Sequence, residues 1–170
     1  MPEKYEDFHE DFGYDENNER FYSYEYRRFE DRRFEDKYFY NRYVKHSYFK
    51  NVYFRNMHFH YVRFENVTFE DVTFEWTKEW YTRAEFVNCR FINTMWVRPH
   101  FRHSYFYRSR FEGGLRYSDA ELKYRDYFHT FVDFHFYDTI FCNVDWFDTF
   151  FYRGEAYNVT FNYNKWTRFE

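Results

Sequence analysis

An aromatic residue returns every five positions along most of this chain, and few folds accept that period. Phenylalanine stands at Phe29, Phe34, Phe39, Phe49, Phe54, Phe59, Phe64, Phe69 and Phe74, with Val44 in the remaining slot. Two extra residues then shift the phase. The period resumes at Tyr81, Phe86, Phe91, Trp96, Phe101, Phe106 and Phe111. After an irregular stretch it returns at Phe131, Phe136, Phe141, Trp146, Phe151, Ala156, Phe161 and Trp166. Of these 25 slots, 23 are aromatic, which excludes chance. Five is neither the helical period of 3.6 nor the strand period of 2. Inside each unit, however, an alternation runs as in a strand. In VRFENVTFEDVTFE the Val and the Phe, two apart, face one way and the residue between them faces the other. Asn66 and Asp71 fall two after a Phe, where the chain must turn. Each unit is a very short strand plus a corner.

Composition agrees. There are 27 Phe and 21 Tyr, but only two Leu, two Ile and three Ala. One residue type fills a recurring slot, and a helical bundle is excluded because β-formers dominate. No run of about 20 apolar residues and no signal peptide is visible, so a cytoplasmic location without membrane contact is expected. Net charge is −4, nearly balanced, which gives nucleic acid no strong pull.

The segments VRFEN, VTFED, EFVNCRF and DAELK resemble the pentapeptide-repeat family over roughly residues 24–170. The resemblance implies an all-β fold: a right-handed quadrilateral parallel β-helix with four units to a twenty-residue coil. AEFVNCRFINTMW is similar to the luminal repeat domain of the synaptic vesicle glycoprotein type 2 transporters, although no transporter helices accompany it.

Residues the pattern did not use support the coil. At a spacing of twenty, Glu30, Lys50 and Glu70 form one outer column, Glu35, Arg55 and Glu75 a second, and Lys45 and Glu65 a third, with signs alternating. Allowing for the two-residue insertion, Phe29, Phe49, Phe69, Phe91, Phe111, Phe131 and Phe151 form one inner column through about seven coils. The position two before each slot is mostly small, as in Ser47, Val52, Val62, Val67, Val72, Ala84, Cys89, Ser104 and Ser109. Arg27, Arg32, Lys37 and Arg42 break that rule in the first coil, where long stems reach water from an open end.

Three segments stand apart. Residues 1–23 form an acidic N-terminal cap or tail, and a short capping helix and disorder both remain open. Residues 113–130 interrupt the repeat, read as a distorted coil through Tyr117, Leu122 and Tyr127 or as a helix opened by Ser118 and Glu121. This stretch supplies a candidate interaction segment of Tyr117, Ser118, Glu121, Lys123, Tyr124 and Arg125. The last coil ends on Phe161, Trp166 and Phe169 without a clear cap, and the resemblance implies a homodimer through that end.

Chemistry is sparse. His58 and His60 should both project outward, but no third metal ligand is evident. His100 and His103 lack partner cysteines. Cys89 belongs to the core and Cys142 to the surface. No phosphate loop, serine elbow, zinc motif or cofactor signature appears. No catalytic or metal residues are assigned, and an enzyme is not expected. The expected function is a non-catalytic scaffold or protein-interaction module. A designed β-solenoid without natural ligand, a DNA mimic binding topoisomerase and a toxin-receptor-like luminal domain remain as alternatives, the last two from resemblance.

Overall fold

The computed structural model describes residues 22–36, 38–40, 42–76, 83–97, 101–113, 131–147 and 151–167. Within them are twenty-four short strands and no helix. All their pairings are parallel, and the strands form an all-β solenoid with four faces. Two faces are seven strands deep. The other two are shorter among the described residues, and the described residues amount to about five turns; seven coils were expected.

The pentapeptide explains both elements. A three-residue strand such as Thr68–Glu70 turns its middle residue inward and its flanks outward. Two residues after nearly every described inner slot the backbone turns left-handed, as at Asp31, Asn51, Asn66, Asp71 and Asn93, with φ of 50–54°; Trp76, before the insertion, does not. Asn and Asp tolerate this conformation better than other L-residues and take 12 of the 19 such non-glycine positions. They also bond along the corners. Asn51 Nδ2 donates to Asp31 Oδ1 at 2.6 Å, Asn93 to Asp71 at 2.7 Å and Asn158 to Asp138 at 2.7 Å. Stacked Asp on Asp would repel there, so alternating amide and carboxylate suits the ladder.

The core is a lattice of rings. Phe69, at 0% exposure, stacks on Phe49 at 5.1 Å and on Phe91 at 5.0 Å, and meets Phe64 and Phe74 edge-on at 5.4 and 5.6 Å. Both geometries suit the ring quadrupole. The small inner slots also bond to the backbone. Ser109 Oγ accepts from Cys89 N and donates toward Tyr107 O at 3.0 Å. Ser47 accepts from Arg27 N, and Ser104 from Ala84 N, in the same way. A buried N–H left alone would cost about 1–3 kcal/mol, so hydroxyls fit these slots for more than their size.

Pairing follows the twenty-residue spacing through the first coils, as in Phe29 with Phe49 and Phe49 with Phe69. Across the insertion the spacing is twenty-two, as in Phe69 with Phe91, with a shift between Arg83 and Ala84. The three expected charge columns are in register. Ion pairs among the described residues lie within strands, as Arg28–Glu30 at 3.2 Å, or join neighbouring coils, as Lys45–Glu25 at 3.5 Å and Arg63–Glu85 at 3.1 Å.

The inner column needs correcting beyond Phe111. Phe111 pairs with Phe141, and Phe141 with Phe161. Phe131 pairs instead with Phe101, and Phe151 with Phe131, on the face two away. One turn therefore spans thirty residues, ten more than the regular twenty. Ten residues are two whole repeats, so the excursion preserves the five-residue phase while displacing everything after it by two faces. A coil bent without added residues does not fit this register. The excursion residues themselves, including Tyr117, Ser118, Glu121, Lys123, Tyr124 and Arg125, lie outside the described residues. So do residues 1–21, where a capping helix was weighed.

Candidate interaction surfaces

Outward side chains form columns along the rod. On the face that carries Val44, Phe64 and Phe86, Tyr43 lies against Arg63 with the guanidinium 5.6 Å from its ring, as the spacing predicts. Arg28 and Arg33 cover Tyr48 and Tyr53 in the same way at 5.1 and 4.5 Å. The Tyr43 hydroxyl donates to Glu65, and that bond, backed by Arg63, holds the Glu65 carboxyl below its ordinary pKa despite partial burial. Burial and a hydrogen bond to Glu70 push the Tyr48 phenol up to about 12. Further along, Tyr105 stacks on His135 at 4.5 Å and Tyr107 on Tyr137 at 5.3 Å. These ladders fix register and cover the sheet.

The groups considered for chemistry are placed as follows. His58 and His60 sit side by side with ring centroids 6.0 Å apart, and burial lowers the pKa of both. Among the described residues no three His, Cys, Asp or Glu come together to hold a metal. The Cys89 thiol is fully enclosed and burial pushes it up to about 12, so it has no thiolate character near neutrality. Cys142 is half-buried on an outer face beside Glu112. His103 Nε2 lies 3.7 Å from Asp133, which Arg153 also approaches at 3.1 Å; His100 lies outside the described residues. No helix among the described residues is long and apolar enough to cross a membrane.

The C-terminal end is different in kind. Trp146 is 0% exposed and Phe141 1%, yet their stacked successors Trp166 and Phe161 are 42% and 45% exposed. The slot and stacking are the same one coil in; among the described residues no further strand covers Phe161 and Trp166. Tyr152, Tyr157 and Tyr163 add further aromatic surface, so five of the seven exposed large hydrophobic residues described lie between positions 152 and 166. The described backbone ladder stops at the same coil. Asp138 N and Asn143 N donate to carbonyls of the next coil, whereas no described strand follows to receive Asn158 N or Tyr163 N. Of the three residues expected at this end, Phe161 and Trp166 are therefore together, and Phe169 lies outside the described residues. Sequence reading missed Tyr157 and Tyr163, although their place in the final coil was visible.

Stacked four-faced coils, a phenylalanine ladder and left-handed Asx corners define a pentapeptide-repeat-like β-solenoid. Among solved structures this chain is similar to trypsin-treated QnrB1, a plasmid-mediated fluoroquinolone resistance protein. The two share a TM-score of 0.57 and 12% identity over 86% of this chain and 74% of that one, a likeness of fold. No family model matches the sequence. No curated protein matches it either.

Proposed function

We propose that this chain is a non-catalytic β-solenoid that acts as a protein-interaction module through its C-terminal end, with a second copy of itself as partner. The observation that carries this reading is the exposure of Phe161 and Trp166 in slots that are buried one coil earlier. Exposed aromatic surface beside an unpaired strand edge is the combination that association removes from water. Two identical ends related by a two-fold axis bury both at once and close the assembly. Lys165 and Glu155, both on the last coil, give that contact a charge of each sign. A ring-filled interior also favours the non-catalytic reading, since catalysis needs convergent polar groups in a pocket. DNA mimicry is less favoured because arginines accompany the outer glutamates, as in Arg28–Glu30 and Arg90–Glu112.

Sedimentation equilibrium at micromolar concentration tests the pairing. The unmodified chain is expected at the mass of two copies and Trp166→Glu at one, with equal circular dichroism. A single-copy mass for the unmodified chain would refute the pairing.

A further inference from the structure

One outer face of the rod is stepped. In one of its outward columns Glu65, Val87, Tyr107 and Tyr137 follow one another on adjacent strands. Tyr107 stacks on Tyr137 at 5.3 Å, with the rings 11° from parallel. The strand on its other side brings Val87 against it, and a valine is too short to continue the stack. Val87 is only 5% exposed although its position in the strand is outward, so it forms the floor of the step. The step opens into a cavity of about 500 Å³, lined by Arg63, Glu85, Val87, Tyr107, Arg108 and Asp138. Sites for small ligands run from roughly 300 to 1,000 Å³ and set a few polar groups around an apolar surface.

The charges around this cavity are not equivalent. Arg63 donates to Glu85 at 3.1 Å and to Glu65 at 3.3 Å, so it is neutralised and held in place. Asp138 accepts from Asn158 at 2.7 Å. Arg108 is exposed, and among the described residues its guanidinium has neither an ion pair nor a hydrogen bond. Arg153 makes the contrast. Both arginines occupy left-handed corners, with φ of 46° and 47°, where 12 of the 19 non-glycine positions hold Asn or Asp. Both have an aspartate in the adjacent coil of the same corner column, Asp133 for Arg153 and Asp138 for Arg108. Arg153 bonds its aspartate at 3.1 Å, whereas Arg108 lines the cavity without doing so.

We infer that this step is a binding site for a small planar aromatic carboxylate. The ring of the ligand lies over Val87 and stacks on Tyr107, extending the ladder of rings by one rung. Its carboxylate takes the Arg108 guanidinium in a bidentate pair. A simple inorganic anion would leave the Tyr107 face and the Val87 floor unused, and an uncharged ring would leave Arg108 unused. Tyr107 lies two strands before Tyr157, so the site does not depend on pairing at the C-terminal end.

A ligand-observed NMR titration of the full chain with 2-naphthoate tests the inference, beside 2-naphthamide, which keeps the rings and lacks the charge. Saturable binding of 2-naphthoate is expected with a dissociation constant of about 1 mM, given the usual efficiency of small ligands. Arg108→Gln, or the amide in place of the acid, is expected to weaken it about tenfold. Val87→Phe puts the chain's own ring on the floor of the step and is expected to abolish binding. Glu65 and Tyr107 on either side show that the column takes large side chains. Should Val87→Phe alter the circular dichroism, Arg108→Gln and the amide decide alone. No saturation below about 10 mM, or binding that Arg108→Gln leaves unchanged, would overturn the inference. So would binding that a folded Val87→Phe leaves unchanged, which is the result expected of adsorption to the exposed Phe161 and Trp166.

Discussion

Phe69→Asp unfolds the solenoid, while Glu70→Gln, one residue along the same strand, leaves the melting temperature almost unchanged. Phe69 has no exposed surface and is stacked between Phe49 and Phe91. Removing such a ring to Ala alone costs about 3–5 kcal/mol. The carboxylate adds the penalty of a buried charge or the cost of protonating it. Together these approach the whole stability of a domain, about 5–15 kcal/mol. Glu70 lies on the outer face and accepts the Tyr48 hydroxyl. A glutamine keeps an acceptor oxygen there, so the change stays within about 0.5 kcal/mol. Thermal denaturation followed by circular dichroism reads both, and equal tolerance would contradict the inward and outward assignment.

The second large effect separates the middle of the rod from its end. Val72 and Arg32 occupy the same inner column, two coils apart with Val52 between. Val72 is 0% exposed, so Val72→Arg drives a guanidinium into the ring lattice with no route to water. Several kcal/mol are lost, and the chain is expected to unfold or to precipitate on expression. Arg32→Val, at an exposed position, is expected to change stability by less than about 1 kcal/mol. If the two substitutions cost the same, the difference in burial between Val72 and Arg32 does not decide what these slots accept.

Most of the fold is legible in the sequence because the steric demand repeats. The slot aromatic, the small residue two before it and the Asn or Asp two after it each mark one backbone position. Their period gives the short strand and the corner, while the four-faced coil is what the family resemblance implies, supported by the charge columns at a spacing of twenty. Three features escape that reasoning. The ten-residue excursion hides because it equals two repeats, so Phe131 arrives in phase but on the wrong face. Gly154 gives no signal in the pattern, yet the Phe134 ring sits 2.1 Å from where its Cβ would be. A large residue in one inner slot is accommodated by the smallest residue in the slot stacked on it. The hydroxyls of Ser104 and Ser109 read as small side chains, and only the geometry shows that they accept from Ala84 N and Cys89 N. The C-terminal aromatic cluster was legible in part, since Phe161 and Trp166 fill slots of the repeat. Its extent was not, because the exposure of Tyr157 and Tyr163 depends on which coil is last.

That last point makes register the central claim, and the protein's own Cys142 offers a direct measurement. Glu112 faces Cys142 across adjacent parallel strands. Neighbouring strands lie about 4.8 Å apart, within the Cα separation of about 4.4–6.8 Å that a disulfide accepts. Glu112→Cys should therefore form an intramolecular bridge to Cys142 under mild oxidation and keep the native circular dichroism. A second chain carrying Glu112→Cys and Val132→Cys, with Cys142→Ser, places its thiols twenty residues apart and should remain unbridged. A bridge in the second chain and none in the first would contradict the thirty-residue turn, and with it the assignment of Phe161 and Trp166 to the open end.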